Sequence, residues 1–282
     1  MSSSERPAHP DPATPSQAAN RAGSTPDAHG RRAALITGAG KRLGRAIALE
    51  MAAQGWDIIV HYHRSRAEAD ETAAQIAALG RQAISVQADL TTEAGVDGLF
   101  EAAAALPLRA VINNASHFEH DSPASFAAAS LQTHLGPNLI APVRLTQRLH
   151  AWLPDEARGV VVNLLDQKLD ALNPDFFSYT LTKSALLSAT RMMAMSFAPK
   201  LRVTGVSPGL TLPSYLQTPE AFAHTHRQAA LLDSSSTAAD IVNAVLFMVN
   251  SPAITGVNLT VDGGQHMLGL RRDVSYLQDS QS

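Results

Sequence analysis

A tyrosine followed four residues later by a lysine, Tyr179 and Lys183, stands in the stretch NLLDQKLDALNPDFFSYTLTKSAL, residues 163–186. On a helix, residues at that spacing lie one turn apart on the same face. An ammonium beside a phenol is expected to lower the phenol's pKa, which suits Tyr179 to act as a general acid. An acid built this way usually has a neutral hydroxyl partner a short way upstream. Here the upstream positions hold Asp166 and Asp170, and the nearest serine, Ser178, directly precedes the tyrosine.

A second cluster lies near the beginning of the chain. The apolar run AALIT (33–37) leads into TGAGKRLG (37–44). A glycine-rich turn feeding a helix N-terminus presents backbone N–H groups to a phosphate, aided by the helix dipole. The turn departs from the G-x-G-x-x-G pattern: Gly38 and Gly40 fit, but position 43 is Leu, and Arg42 stands where a glycine is commonest. The next apolar run ends in HYHRSR (61–66). An NAD enzyme places an acidic residue there for the ribose 2′-hydroxyl. None is present, and Asp57 sits at the opposite end of the run. His63, Arg64, Ser65 and Arg66 offer cations and a hydroxyl suited to a 2′-phosphate, so the expected cofactor is NADPH. Further on, QADL (87–90) could place Asp89 near an adenine, and NNA (113–115) supplies small and polar groups at a strand end.

These motifs need elements to hold them. From residue 33 onward, short apolar runs at 33–37, 57–62, 82–87, 110–113, 159–165, 201–206 and 256–261 alternate with helical patterns near 43–54, 66–79, 92–105, 122–150, 178–198 and 237–249. That alternation implies βαβ units and a single doubly wound α/β domain, residues 31–270, with about seven parallel strands and helices on both faces. The strands are apolar throughout, as strands covered on both faces should be. Two irregular stretches, 115–123 and 207–236, fall at the carboxyl edge of the sheet, where such folds bind ligands.

Residues 1–30 contain no Leu, Ile, Val or Phe, and are expected to form a disordered tail. Residues 271–282 read as a polar C-terminal tail, either loose or reaching a neighbouring subunit. A net charge of −3 argues against a nucleic-acid partner, and the apolar runs are too short to span a membrane. The absence of cysteine excludes disulfides and thiolate chemistry, and fits a cytoplasmic setting. The pairs His61/His63 and His224/His226 lack a third ligand at suitable spacing, so no metal is expected. The run RMMAMSF (191–197) suits core or subunit packing.

Taken in order, the turn, the basic loop, Asp89, the NNA segment and the Tyr/Lys pair resemble the short-chain dehydrogenase/reductase family across nearly all of residues 33–267. The likeness is strongest to the pteridine reductases and dihydromonapterin reductases. It is carried by TGAGKRLG, HYHRSRAEA, NNASHF and the aspartate thirteen residues before the tyrosine. The resemblance implies a Rossmann-type fold, a homotetramer and a small pterin-like substrate. It implies that Gly38, Lys41, Arg42, Leu43, His61, Tyr62, His63, Arg64, Ser65, Asp89, Leu90, Asn114, Ala115, Ser116, Pro208, Gly209 and Thr211 surround NADPH, with Tyr179 and Lys183 also touching it. By the same resemblance Tyr179 is the general acid, Lys183 lowers its pKa, and Asn138 supports a proton relay. Arg42, Ser116, Phe118, Asp166, Tyr179 and Leu210 would meet the substrate.

The carboxylate then has a rationale. Reducing a pterin C=N bond puts negative charge on a ring nitrogen that must be protonated, and a partly buried Asp166 with a raised pKa can supply that proton through Tyr179 or water. A carbonyl reductase acting on a ketone or 3-oxoacyl substrate is the alternative, since its alkoxide is well served by a hydroxyl alone. A third reading is an NADP(H)-binding regulatory protein with little turnover. The intact Tyr179, Lys183 and Asn138 speak against it.

Overall fold

The computed structural model describes residues 30–213, 219–274 and 276. The tail expected for residues 1–30 therefore lies, apart from Gly30, outside the described residues. The sheet has seven strands, all parallel: β1 (Ala33–Ile36), β2 (Asp57–Tyr62), β3 (Ala83–Gln87), β4 (Leu108–Asn113), β5 (Gly159–Leu164), β6 (Leu201–Pro208) and β7 (Asn258–Val261). Their order is β3-β2-β1-β4-β5-β6-β7. The chain winds outward from β1 to β3, then returns to lay β4 on the other side of β1. The crevice at that reversal opens at the carboxyl ends of β1 and β4, where the glycine-rich turn and the NNAS segment emerge.

Every residue of β1, β2 and β5 is buried, because helices cover both faces of the sheet. On one face α1 (Arg42–Ala53), α2 (Arg66–Ala78) and α8 (Ala238–Asn250) bury Ile47, Met51, Ile76, Ile241 and Val245. On the other, α3 (Glu93–Ala102), α5 (Ala141–Trp152) and α6 (Phe177–Phe197) bury Val96, Leu99, Leu145, Leu149 and Met193. Starts are set locally. Thr237 and Asp240 form a reciprocal capping box on α8, and the Thr92 hydroxyl accepts the Gly95 N–H at the start of α3.

Two stretches differ from the sequence expectation. The single helix expected over 122–150 begins only at Ala128. It runs as α4 (Ala128–Leu135), a π-helical turn (Gly136–Ile140) and then α5. Pro137 and Pro142 each lack an N–H, which loosens the ladder there without altering the apolar period. The stretch 207–236, expected to be irregular, contains α7 (Pro219–Gln228).

Asp57 opens β2 at the end of the sheet opposite the crevice. Its side chain is fully buried, held by Arg31 at 2.7 Å, Arg81 at 3.3 Å and the Gln82 N–H at 2.8 Å. It ties the strand's beginning to its neighbours and takes no part in the crevice.

Candidate active site

The glycine-rich turn is shaped by its ties to β4. Thr37 Oγ accepts the N–H groups of Asn114 and Ala115, both at 2.9 Å, and the Asn114 amide donates back to the Thr37 carbonyl at 2.9 Å. Gly38 has φ +65° and its Cα faces Asn114 and Ala115, so a side chain there would be both strained and crowded. Arg42 has φ +51°, a left-handed conformation that costs a non-glycine residue roughly 1–2 kcal/mol. The position where a glycine is commonest thus keeps a glycine's backbone while carrying a guanidinium.

His61 braces the same turn from below. Its Nδ1 accepts the Gly38 N–H at 3.1 Å, so Nε2 carries the proton that reaches the Ala88 carbonyl at 3.2 Å. Burial, partly offset by that carbonyl, lowers its pKa to about 4, and the ring stays neutral. His61 therefore joins the first and third βα loops.

Between these loops lies an open cleft of about 710 Å³. Its walls include Gly38, Lys41, Arg42, Leu43, His61, Tyr62, His63, Arg64, Ser65, Asp89, Leu90, Asn114, Ala115 and Ser116, all singled out from the sequence. His63 and Arg64 are exposed at its rim, whereas Lys41 is paired with Glu68 and Arg66 lies over the Tyr62 ring. The Thr91 hydroxyl and then its N–H hold the Asp89 carboxyl below its usual range. An α1 N-terminus at one wall and the exposed His63 and Arg64 side chains at the rim form a donor set that fits a dinucleotide with a 2′-phosphate. Thr91, His117, Thr133 and Pro137 also line the cleft. Sequence reasoning missed them because they carry no motif of their own.

Pro208, Gly209, Leu210 and Thr211 are not part of that wall. They lie at the same carboxyl edge but pack toward β7 and the residues after it. The Leu210 N–H donates to Gln265 at 2.9 Å, and the hydroxyls of Thr211 and Ser236 share a hydrogen bond at 2.6 Å. A Cβ on Gly209 would strike Ser235 and Asp262.

Beyond the cleft, α6 and the end of β5 assemble the acid group. The Tyr179 hydroxyl donates to Asp166 Oδ2 at 2.8 Å, and the Lys168 N–H donates to Asp166 Oδ1 at 2.8 Å. Ser178 is engaged elsewhere: its hydroxyl and N–H both bind Asp121, which anchors the start of α6. Burial raises the Asp166 pKa, against the pull of those two hydrogen bonds. Tyr179 does not show the expected depression. Burial, then the Asp166 charge and the hydrogen bond to it, pushes its pKa well above the ordinary phenol value. The Lys183 ammonium is turned elsewhere. Lys183 Nζ donates to the Leu164 carbonyl at 2.6 Å and lies 5.6 Å from the Tyr179 ring centre. Burial lowers the Lys183 pKa to about 8.

Asn138, within the π-helical turn, is fully used. Its oxygen accepts the His117 N–H at 2.8 Å and the Ser116 hydroxyl at 3.1 Å, and its amide donates to the His117 carbonyl and Thr182. It fixes the loop carrying Phe118 onto α6. The Phe118 ring stacks on Phe176 at 4.2 Å and stands edge-on to Tyr179 at 4.7 Å. Phe176 precedes α6 with φ +54°, a strained backbone of the kind found at functional sites. It is an aromatic wall that sequence reasoning did not single out.

Among the described residues no group of three or more histidine or acidic side chains is placed to hold a metal ion, and no helix is long and apolar enough to cross a membrane.

Comparison with known proteins places this geometry. The family model described as enoyl-(acyl carrier protein) reductase matches residues 38–266. Pteridine reductase 1 of Leishmania tarentolae is 33% identical over 278 residues, covering 82% of this chain and 95% of its own. FolM alternative dihydrofolate reductase 1 from Brucella canis, solved in complex with NADP, superposes with a TM-score of 0.78 at 35% identity, covering 83% of this chain and 94% of its own. A putative ketoacyl reductase of granaticin polyketide synthesis from Streptomyces violaceoruber is 30% identical, covering 83% of this chain and 96% of its own.

Proposed function

The chain belongs to the short-chain dehydrogenase/reductase family and is an NADPH-dependent reductase, and from that premise we propose that it reduces the C=N bond of a dihydropterin. The observation that carries this reading is the Tyr179–Asp166 hydrogen bond, with a carboxyl whose pKa burial has raised. The pteridine reductase and dihydrofolate reductase names of its relatives support it.

Bound in the cleft, NADPH would supply a hydride for C6 of the pterin. The chain's own residues then handle the proton. Tyr179 gives its hydroxyl proton to N5, forming N–H as O–H breaks. Asp166, whose pKa burial raises, then passes a proton to the tyrosine oxygen across the 2.8 Å contact, reversing the direction of that hydrogen bond. Tyr179 is thus not left as a buried phenolate, which its surroundings would disfavour, and the Asp166 carboxylate takes a proton back from water before the next turnover. Phe118 supplies a flat face for the pterin ring, and Arg42 and Ser116 stand at the cleft end of that slot. Lys183 would hold the nicotinamide ribose, and His63 and Arg64 would receive the 2′-phosphate.

A ketone reductase is the second reading. It rests on the polyketide ketoacyl reductase relative and on the neutral Tyr179 hydroxyl, which serves an alkoxide equally well. The two part at Asp166. NADPH oxidation is followed with dihydrobiopterin, dihydromonapterin, dihydrofolate and a diketone, in the wild type and in Asp166→Asn. Pterin turnover that collapses in the variant supports pterin reduction. Turnover of the diketone alone, unchanged in the variant, overturns it.

A further inference from the structure

The turn that carries Asp166 holds a second buried ionisable group with no place in the proton path. Lys168 lies two residues on, donates its N–H to Asp166, and is only 3% exposed. A lysine is almost never buried without a counter-charge. This one reaches Asp273 Oδ2 at 3.2 Å and lies 5.2 Å from the centre of the Phe176 ring. Asp273 comes from the segment after β7, 105 residues away. That segment is fastened a second time to buried Asp175, just before α6. Arg272 Nε donates to both Asp175 oxygens at 3.1 and 2.8 Å, and the Asp273 N–H donates at 2.8 Å. His120 stands 3.6 Å from Asp175, and its ring meets Tyr276 at 5.4 Å. Three remote segments therefore lock around one carboxyl.

We propose that Lys168 and Asp273 form a positioning pair for Asp166, bracing the turn that carries it and balancing the charge it faces from the C-terminal side. Asp166 faces Tyr179 and Lys183 from α6, Lys168 from its own turn and Asp273 from the C-terminal segment. Asp273 in turn faces Lys168, and Asp175 already neutralised by Arg272 with His120 beside it. The pair matters because the Asp273 charge reaches Asp166 and Lys168 is the cation that partners that charge. The Asp273 charge favours the protonated carboxyl, as it does for Tyr179. An unpaired Lys168 cation would favour the ionised form.

The inference rests on Asp166 being the proton source proposed above, and its test separates the two. The Asp166 carboxyl is titrated by ¹³C NMR in the full-length protein, assigned with Asp166→Asn. Asp273→Asn should shift its titration down and Lys168→Met should shift it up, each by on the order of half a pH unit. The double variant should return it close to the wild type, and Lys168→Arg should leave it in place. A purely structural role cannot produce opposite shifts that cancel. Shifts in one direction, or none, overturn the inference. Should Lys168→Met fail to fold, the downward shift in Asp273→Asn and the unmoved Lys168→Arg decide it. The pH dependence of kcat on whichever substrate of the panel turns over is read alongside. Opposite carboxyl shifts without pterin turnover sustain the pair and overturn the pterin reading. Pterin turnover with an unmoved carboxyl does the reverse.

Discussion

The Tyr179 hydroxyl donates to Asp166 at 2.8 Å while the Lys183 ammonium turns to the Leu164 carbonyl at 2.6 Å. The phenol is thus coupled to a carboxyl, and the lysine is held by the backbone of β5. Tyr179→Phe removes the hydroxyl that carries the proposed proton from Asp166 to the substrate. Turnover should fall by roughly a hundred- to ten-thousandfold, the range of a lost general acid. NADPH affinity, measured by fluorescence titration, should stay within a few-fold. A variant that keeps most of its turnover would mean that Asp166 delivers its proton by another route.

Lys183 gives the protein a pH signature. Burial lowers its pKa from the usual 10.5 to about 8, so the cation is disfavoured in the fold. Two consequences have opposite signs. If the ammonium holds the ribose, kcat/KM for NADPH should fall as pH rises through about 8. Stability should rise over the same interval. Between about 8 and 10.5 the unfolded chain binds this proton and the native state does not, so the cost of the buried charge is relieved. Urea midpoints against pH, compared between wild type and Lys183→Met, should show that slope only in the wild type.

Asn138 predicts a different kind of loss. Its four hydrogen bonds reach Ser116, both backbone groups of His117, and Thr182, fixing the loop that carries Phe118. Asn138→Ala should raise KM for the reducible substrate about tenfold or more, as expected when several buried polar groups lose partners. It should change KM for NADPH much less. A fall in kcat with both KM values unchanged, in steady-state kinetics with each varied in turn, would place Asn138 in the proton path rather than behind the loop.

How much of this was legible in the chain depends on sequence distance. Strands β1, β2 and β5 are buried on both faces, so their apolar runs announce a covered parallel sheet. Asp57 could be assigned to the wrong end of β2 from its position alone, and the structure finds it there as a buried structural charge. The break in the 128–152 helix was hidden because Gly136 and Pro137 fall where the apolar period continues undisturbed. The spacing of Tyr179 and Lys183 fixes a shared helix face but not the direction of the ammonium, so the sign of the phenol's pKa shift could not be read from it. Phe176, Lys168 and Asp273 were illegible for a different reason. Their partners come from other segments, up to 105 residues away, and no local pattern encodes such a meeting.

His63 and Arg64, exposed at the cleft rim, should discriminate between the two nicotinamide cofactors. A charge-assisted hydrogen bond to a phosphate contributes about 1.5–3 kcal/mol. Arg64→Ala should therefore weaken NADPH binding by about tenfold to a hundredfold. NADH, which lacks the 2′-phosphate, should bind the variant and the wild type alike. Dissociation constants for both cofactors, measured by calorimetry, give the comparison. A parallel loss for NADH would mean that Arg64 contacts something common to the two.

Asp57 should be a stability residue alone. Its carboxylate is fully buried at the beginning of β2 and faces two guanidinium groups and the Gln82 N–H. Removing one member of a buried ion network leaves the rest without compensation, at a cost of about 3–5 kcal/mol. Asp57→Ala should therefore lower the urea midpoint sharply. It should leave KM for NADPH unchanged under conditions where the variant is folded, because the residue lies at the sheet end opposite the cleft. Asp57→Asn separates charge from shape. It keeps one acceptor for the Gln82 N–H but neutralises the group facing Arg31 and Arg81, and it should fall between wild type and Asp57→Ala. A change in cofactor affinity in either variant would contradict a purely structural role at this end of β2.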